Sequence, residues 1–171
     1  MFSIRAEYYT RLFIYMEIRP ARKSDISSII ELIREFAEYE KLTDYFHITE
    51  ERLSRALFEP NAFVRCLVVE IERSIAGYSI FYPNFSSFRG QTGIYLEDIY
   101  ITPARRAKGI GEKLLREIAK IASEAGFERI DFQVLAWNTP AVEFYLKLGA
   151  VRDDDERHFK FTDSAFANLA K

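Results

Sequence analysis

The chain has 171 residues, a formal net charge of −2 and 49% hydrophobic residues, with 15 phenylalanines and 10 tyrosines. That is enough apolar material for one packed core, and a charge this close to zero gives no global attraction to nucleic acid or an anionic membrane. Cys66 is the only cysteine, so neither a disulfide nor a Cys/His zinc set can be written, and no apolar run approaches the ~20 residues of a membrane span.

Residues 1–15 carry Arg5, Glu7 and Arg11. They lack the continuous apolar centre of a secretory signal. They are expected to be an N-terminal extension, followed by one domain over residues 16–171, in a cytoplasmic protein. An extra strand, an arm at a dimer contact and translation from an upstream start all fit the extension. Glu17-Ile18-Arg19 reads as a short strand ended by Pro20. Ser24 or Asp25 offers an N-cap, and Ile26, Ile29, Ile30, Ile33, Phe36 and Ala37 recur at helical spacing as far as Glu40. Thr49 caps a second short helix, Glu50 to Phe58, closed by Pro60. Phe63 to Ile71 and Ile75 to Tyr82 are strands joined by a turn near Arg73-Ser74. Cys66, in the apolar Leu67-Val68-Val69 run, is expected to be a reduced core residue. Pro83 to Thr92 reads as loop.

Ile94 to Ile101 is β-branched and aromatic, so it favours a strand. Pro103 ends it. Arg105-Arg106-Ala107-Lys108-Gly109-Ile110-Gly111 forms a basic turn, after which Ile110, Leu114, Ile118, Ile121 and Ala122 fall on one helical face. Such a turn offers unpaired backbone N–H groups at a partly positive helix start. Its glycines leave the backbone open to a ligand. The combination suits a diphosphate. It is neither a Walker loop nor a Gly-x-Gly-x-x-Gly dinucleotide turn. Gly126 suits a helix C′ position. Arg129 to Leu135 is the next strand. A helix follows from Pro140 to Leu148, capped by Asn138 or Thr139 and followed by Gly149. Val151 and Arg157 to Phe161 form the arms of a last hairpin, and Thr162 to Ala170 a terminal helix.

Arg106-Ala107-Lys108-Gly109-Ile110-Gly111 resembles the acetyl-CoA loop of the GNAT superfamily of N-acetyltransferases. Ile18-Arg19-Pro20-Ala21, Glu38-Tyr39-Glu40, Leu96-Glu97-Asp98, Trp137-Asn138-Thr139-Pro140-Ala141 and Phe144-Tyr145 resemble further motifs of its diamine (spermidine/spermine) and thialysine members, in the same order, over residues 16–161. The resemblance implies an α/β (α+β) GNAT fold: a mixed, mostly antiparallel sheet of about seven strands flanked by helices. It implies acetyl-CoA as co-substrate, no metal, a small-molecule amine acceptor, no nucleic-acid or membrane partner, and a homodimer.

The roles it implies can be weighed chemically. A primary alkylamine has a pKa near ~10.4, so making it neutral at pH 7 costs roughly 4.6 kcal/mol. A carboxylate must hold the cation and a route must remove its proton. The resemblance gives Glu97 this role, through water, with Asp98 supporting. Strict strand alternation puts Glu97 with Tyr95 and Ile99 on one face and Asp98 with Leu96 and Tyr100 on the other, unless the strand is bulged. Tyr145 matches the tyrosine that protonates the leaving thiolate. The backbones of Ile99, Tyr100 and Ile101 are expected to pair with the pantetheine, and Arg106, Ala107, Lys108, Gly109, Ile110, Gly111 and Glu112 to surround the diphosphate. Asn138 either contacts the pantetheine or caps its helix. Tyr39, Glu40, Glu97, Asp98 and Asp154 are the expected acceptor-binding residues, with Phe88 as an aromatic wall. Ala107 stands where diamine enzymes carry glycine. Gln133, Ala136 and Glu156-Arg157 also depart from their pattern, which leaves open whether the acceptor is a polyamine or a lysine-like amine. A peptide or protein acceptor, and a coenzyme A sensor without turnover, are the rivals. His47 and His158 have no catalytic partners in spacing and read as surface residues.

Overall fold

The computed structural model describes residues 15–171; most of the expected N-terminal extension lies outside the described residues. The described chain forms two compact units, the first ending at Phe132 and the second comprising Gln133–Lys171.

The first unit is built on β1 (Met16–Pro20), β2 (Arg65–Ile71), β3 (Ser74–Ser86), β4 (Gln91–Ile101) and β5 (Ile130–Asp131), in that spatial order. The first four strands are antiparallel and β5 runs parallel to β4. Helix α3 (Ile110–Glu124) covers one face, where Ile110, Leu114, Ile118 and Ala122 pack with Leu67, Val69, Phe81, Ile94 and Leu96. Helices α1 (Ile26–Glu40) and α2 (Glu50–Phe58) cover the other, packing on Cys66, Val68, Tyr78, Ile80 and Tyr100. The helical spacing read from the sequence therefore finds its apolar partners, and Thr49 caps α2 by accepting from the Arg52 amide.

Asp25 is expected to cap α1; it stands at the N-cap position but its side chain makes no cap bond to that helix, and it is buried in a different role. Its carboxylate accepts from the Arg22 amide and from the Arg19 guanidinium at 2.7 and 3.1 Å, while Arg19 also donates to Glu70 at 2.8 Å. Arg19 holds the Asp25 carboxyl below the usual carboxylate range, against the opposing effect of burial. This cluster ties β1, the entry to α1 and β2 together.

The sheet departs from expectation in three places. The described residues form five strands, two fewer than the resemblance implies. Pro83 continues β3 instead of breaking it: the β2 ladder ends at Arg65↔Phe81, so the missing Pro83 N–H faces a side with no neighbouring strand among the described residues. The strand expected from Arg129 to Leu135 shrinks to Ile130–Asp131, because β4 bends at a bulge just past its pairing with β5.

The second unit contains α4 (Thr139–Lys147) and α5 (Asp163–Leu169). The hairpin expected from Val151 to Phe161 is absent there. A lone two-stranded ribbon is marginal in water, and Asp153-Asp154-Asp155-Glu156 places four like charges at its turn.

Candidate active site

The β3–β4 ladder slips between Ile80 and Phe81: Ile80 pairs with Asp98, but Phe81 pairs with Leu96. Glu97 is thus an extra residue, a β-bulge, and it shifts the phase of side-chain alternation. Ile94 and Leu96 before it, and Ile99 and Ile101 after it, all pack on the α3 side. Glu97 and Asp98 consequently project together from the opposite face. The expectation that they point apart is overturned, for the one reason that permitted it.

On that face each carboxylate has its own tyrosine. Tyr82 donates to Glu97 at 2.9 Å, and Tyr78 donates to Asp98 at 3.2 Å. Glu97 is exposed; Asp98 is half-buried behind it. Burial pushes the Asp98 carboxyl up to about 7, the Glu97 charge adds to the rise, and the Tyr78 hydroxyl opposes it. Glu40, at the end of α1, contributes a further negative field, and burial raises its own carboxyl. A protonatable carboxylate beside a charged one is an arrangement able to take up a cation and accept its proton near neutral pH.

The basic turn lies beyond the end of β4. Ala107 and Gly109 both adopt left-handed conformations, with φ of 58° and 72°. Gly109 starts α3 without a side-chain cap, and the Lys113 amide donates back to the Gly109 carbonyl. The amides before Lys113 precede the helical ladder and have no acceptor within it. A Cβ added at Gly109 would meet nothing within 4 Å among the described residues. Donors and access therefore fit a diphosphate. The basic side chains are engaged elsewhere. Arg106 donates to the Ile101 carbonyl at 2.8 Å and lies over the Tyr39 and Tyr100 rings, at 4.8 and 5.2 Å. Lys108 donates to the Ala104 carbonyl, and Arg105 pairs with Glu72. Arg106 and Tyr39, expected in different subsites, are in contact. Well back along the strand from this turn, β4 pairs with β5 only at Ile94 and Tyr95. Among the described residues, the same edge from Leu96 to Ile101 carries no further strand.

In the second unit Asn138 caps α4 by accepting from the Ala141 amide. Tyr145 is buried and meets Phe144 edge to face at 5.0 Å. Asp154 is exposed and paired with Arg152. His158 is exposed beside Gln133, and His47 borders a shallow surface hollow with Arg52 and Arg55. Phe88 stands fully exposed in the β3–β4 turn. Residues missed by the sequence reading are Tyr78 and Tyr82. Their period of two with Ile80 places all three on one face, and that was the available signal.

Residues 26–150 match the family model described as the acetyltransferase (GNAT) family. The chain is 38% identical over 167 residues to a thialysine N-epsilon-acetyltransferase of Bos taurus, covering 91% of this chain and 98% of that one. It is 40% identical over 165 residues to the Sus scrofa protein of the same name, covering 90% and 96%. Among solved structures, an integron cassette protein from the mobile metagenome of V. cholerae superposes with a TM-score of 0.76 at 22% identity, over 91% of this chain and 98% of that one. That likeness is one of fold.

Proposed function

The chain belongs to the acetyltransferase (GNAT) family, and on that premise we propose that it moves an acetyl group from acetyl-CoA to a primary amine of a small polyamine, diamine or lysine-like acceptor, by direct attack in a ternary complex. The observation that carries this reading is the β4 bulge, which turns Glu97 and Asp98 onto one tyrosine-lined face. Bound acetyl-CoA supplies a reactive thioester. The amides from Ala107 to Glu112 hold its phosphates, and the open β4 edge at Ile99, Tyr100 and Ile101 pairs with its amides.

Glu97 receives the ammonium group and accepts its proton through water, while Asp98 provides a second carboxylate able to carry that proton at neutral pH. Tyr39, Glu40 and Asp154 extend the acceptor site. Tyr145 supplies the proton a leaving thiolate needs. Asn138 has its capping role in α4 and is assigned a pantetheine contact through the motif alone. An acyl-enzyme on Cys66 is disfavoured because burial pushes that thiol up to about 12, far from a nucleophilic thiolate. The reading also takes residues 16–171 as one catalytic domain of a cytoplasmic homodimer. The exposed Val151, Phe159, Phe161, Phe166 and Leu169 of the second unit are apolar surface suited to a partner copy.

Thiol release from acetyl-CoA, measured with thialysine, lysine, putrescine, spermidine and a lysine peptide, tests the proposal. Turnover with the small amines is expected. Turnover with the peptide alone would favour a protein acetyltransferase. Coenzyme binding without any turnover would favour a sensor.

A further inference from the structure

The face that carries Glu97 also carries a run of three aromatic rings that the acceptor residues named above do not include. Tyr82 and Tyr95 are cross-strand partners whose rings stack at 5.4 Å and 26°. Phe63, just before β2, meets Tyr82 edge-on at 5.9 Å and 82°, and 63% of its surface is exposed. The Tyr82 hydroxyl is bonded to Glu97. The strip therefore begins in solvent at Phe63, and its middle ring, Tyr82, touches a carboxylate. We propose that Phe63, Tyr82 and Tyr95 form a wall that reads the carbon chain of the acceptor, selecting linear alkylammonium ions whose methylenes lie along the rings while the ammonium sits at Glu97.

The chemistry supports such a wall. An aliphatic chain gains free energy from each methylene removed from water. A second ammonium further along gains from the negative face of an aromatic ring. Tyr82 is a positioning residue for Glu97 as well as part of the wall, since one hydroxyl fixes both. A lone exposed phenylalanine needs no explanation; one locked edge-on to a ring that is itself bonded to the site's carboxylate is a fixed surface next to the place where the cation arrives. The wall takes over the part expected of Phe88. The inference rests on the acceptor reading above, but it concerns binding and is separable from turnover.

The test is calorimetric titration of the full chain with α,ω-diaminoalkanes of increasing length, run beside acetyl-transfer assays with the same amines. Wild type is expected to bind more tightly with each added methylene, by up to about fourfold per group. Phe63→Ala is expected to flatten that dependence, and Phe63→Leu, which keeps apolar bulk, to restore part of it. Equal slopes in wild type and Phe63→Ala, or no diamine binding by wild type, would overturn the wall. A wild type that binds with the expected slope yet acetylates none of the amines supports the wall and overturns the enzyme reading instead.

Discussion

At the scale of single residues, the proposed chemistry depends on where two protons reside. Asp98 is a carboxyl whose folded-state value lies near 7, against 3.8 when free. Its protonated form is the one the fold favours, so its contribution is full below the free value and is lost as pH rises through about 7. Asp98→Asn removes that titration. Its melting temperature is expected to track wild type near about pH 4 and to exceed it near about pH 8, and thermal melts across that range check this. The task proposed for Tyr145 is the opposite one, giving a proton away. Tyr145→Phe keeps the ring and its packing on Phe144, so acetyl-CoA affinity should hold while turnover falls by about 10²-fold or more. Unchanged turnover would remove Tyr145 from the chemistry.

At the scale of elements, strand register decides whether Glu97 and Asp98 share a face. The sequence allowed one exception to alternation along β4, and the exception is what occurs: one inserted residue at Glu97 turns two neighbouring acids the same way. Nothing in Leu96-Glu97-Asp98 announces a bulge, because it is set by the register with β3 and not by local propensity. The turn before α3 was legible from its glycines and charges, but the side chains were not: Arg106 spends its charge on the Ile101 carbonyl and on Tyr39 and Tyr100. The left-handed Ala107 has a cost that the sequence hinted at through its difference from glycine. Holding a residue with a Cβ in that region costs roughly 1–2 kcal/mol, against about 0.5–1 kcal/mol of extra chain entropy for glycine. Ala107→Gly is therefore expected to stabilise the protein slightly, by about 0.5 kcal/mol, in chemical denaturation.

Across the whole molecule, the order of strands and helices in the first unit followed from apolar periodicity, while long-range partners did not. Ile26 to Ala37 and Ile110 to Ala122 announce their buried stripes in their spacing. Arg19, Asp25 and Glu70 do not announce that they meet, since 51 residues separate Arg19 from Glu70. Removing the Asp25 charge leaves buried Arg19 with Glu70 as its remaining carboxylate, so what is lost is charge-assisted hydrogen bonding, about 1.5–3 kcal/mol. Asp25→Asn should lose that much in denaturant unfolding, far more than a surface Asp→Asn change. The final hairpin failed for a related reason. A strand signal in Arg157 to Phe161 specifies an extended chain, but a ladder needs a partner, and within residues 133–171 none is present.

The central step proposed is the transfer of the acceptor's proton to Glu97. Steady-state acetylation of a primary alkylamine by wild type and Glu97→Gln, with acetyl-CoA affinity measured on both proteins, addresses that directly. Glutamine keeps the shape and can still accept from Tyr82, but it cannot take a proton. Turnover about 10²-fold slower or worse, at unchanged acetyl-CoA affinity, is the expected result. Equal turnover in the two proteins would contradict the mechanism.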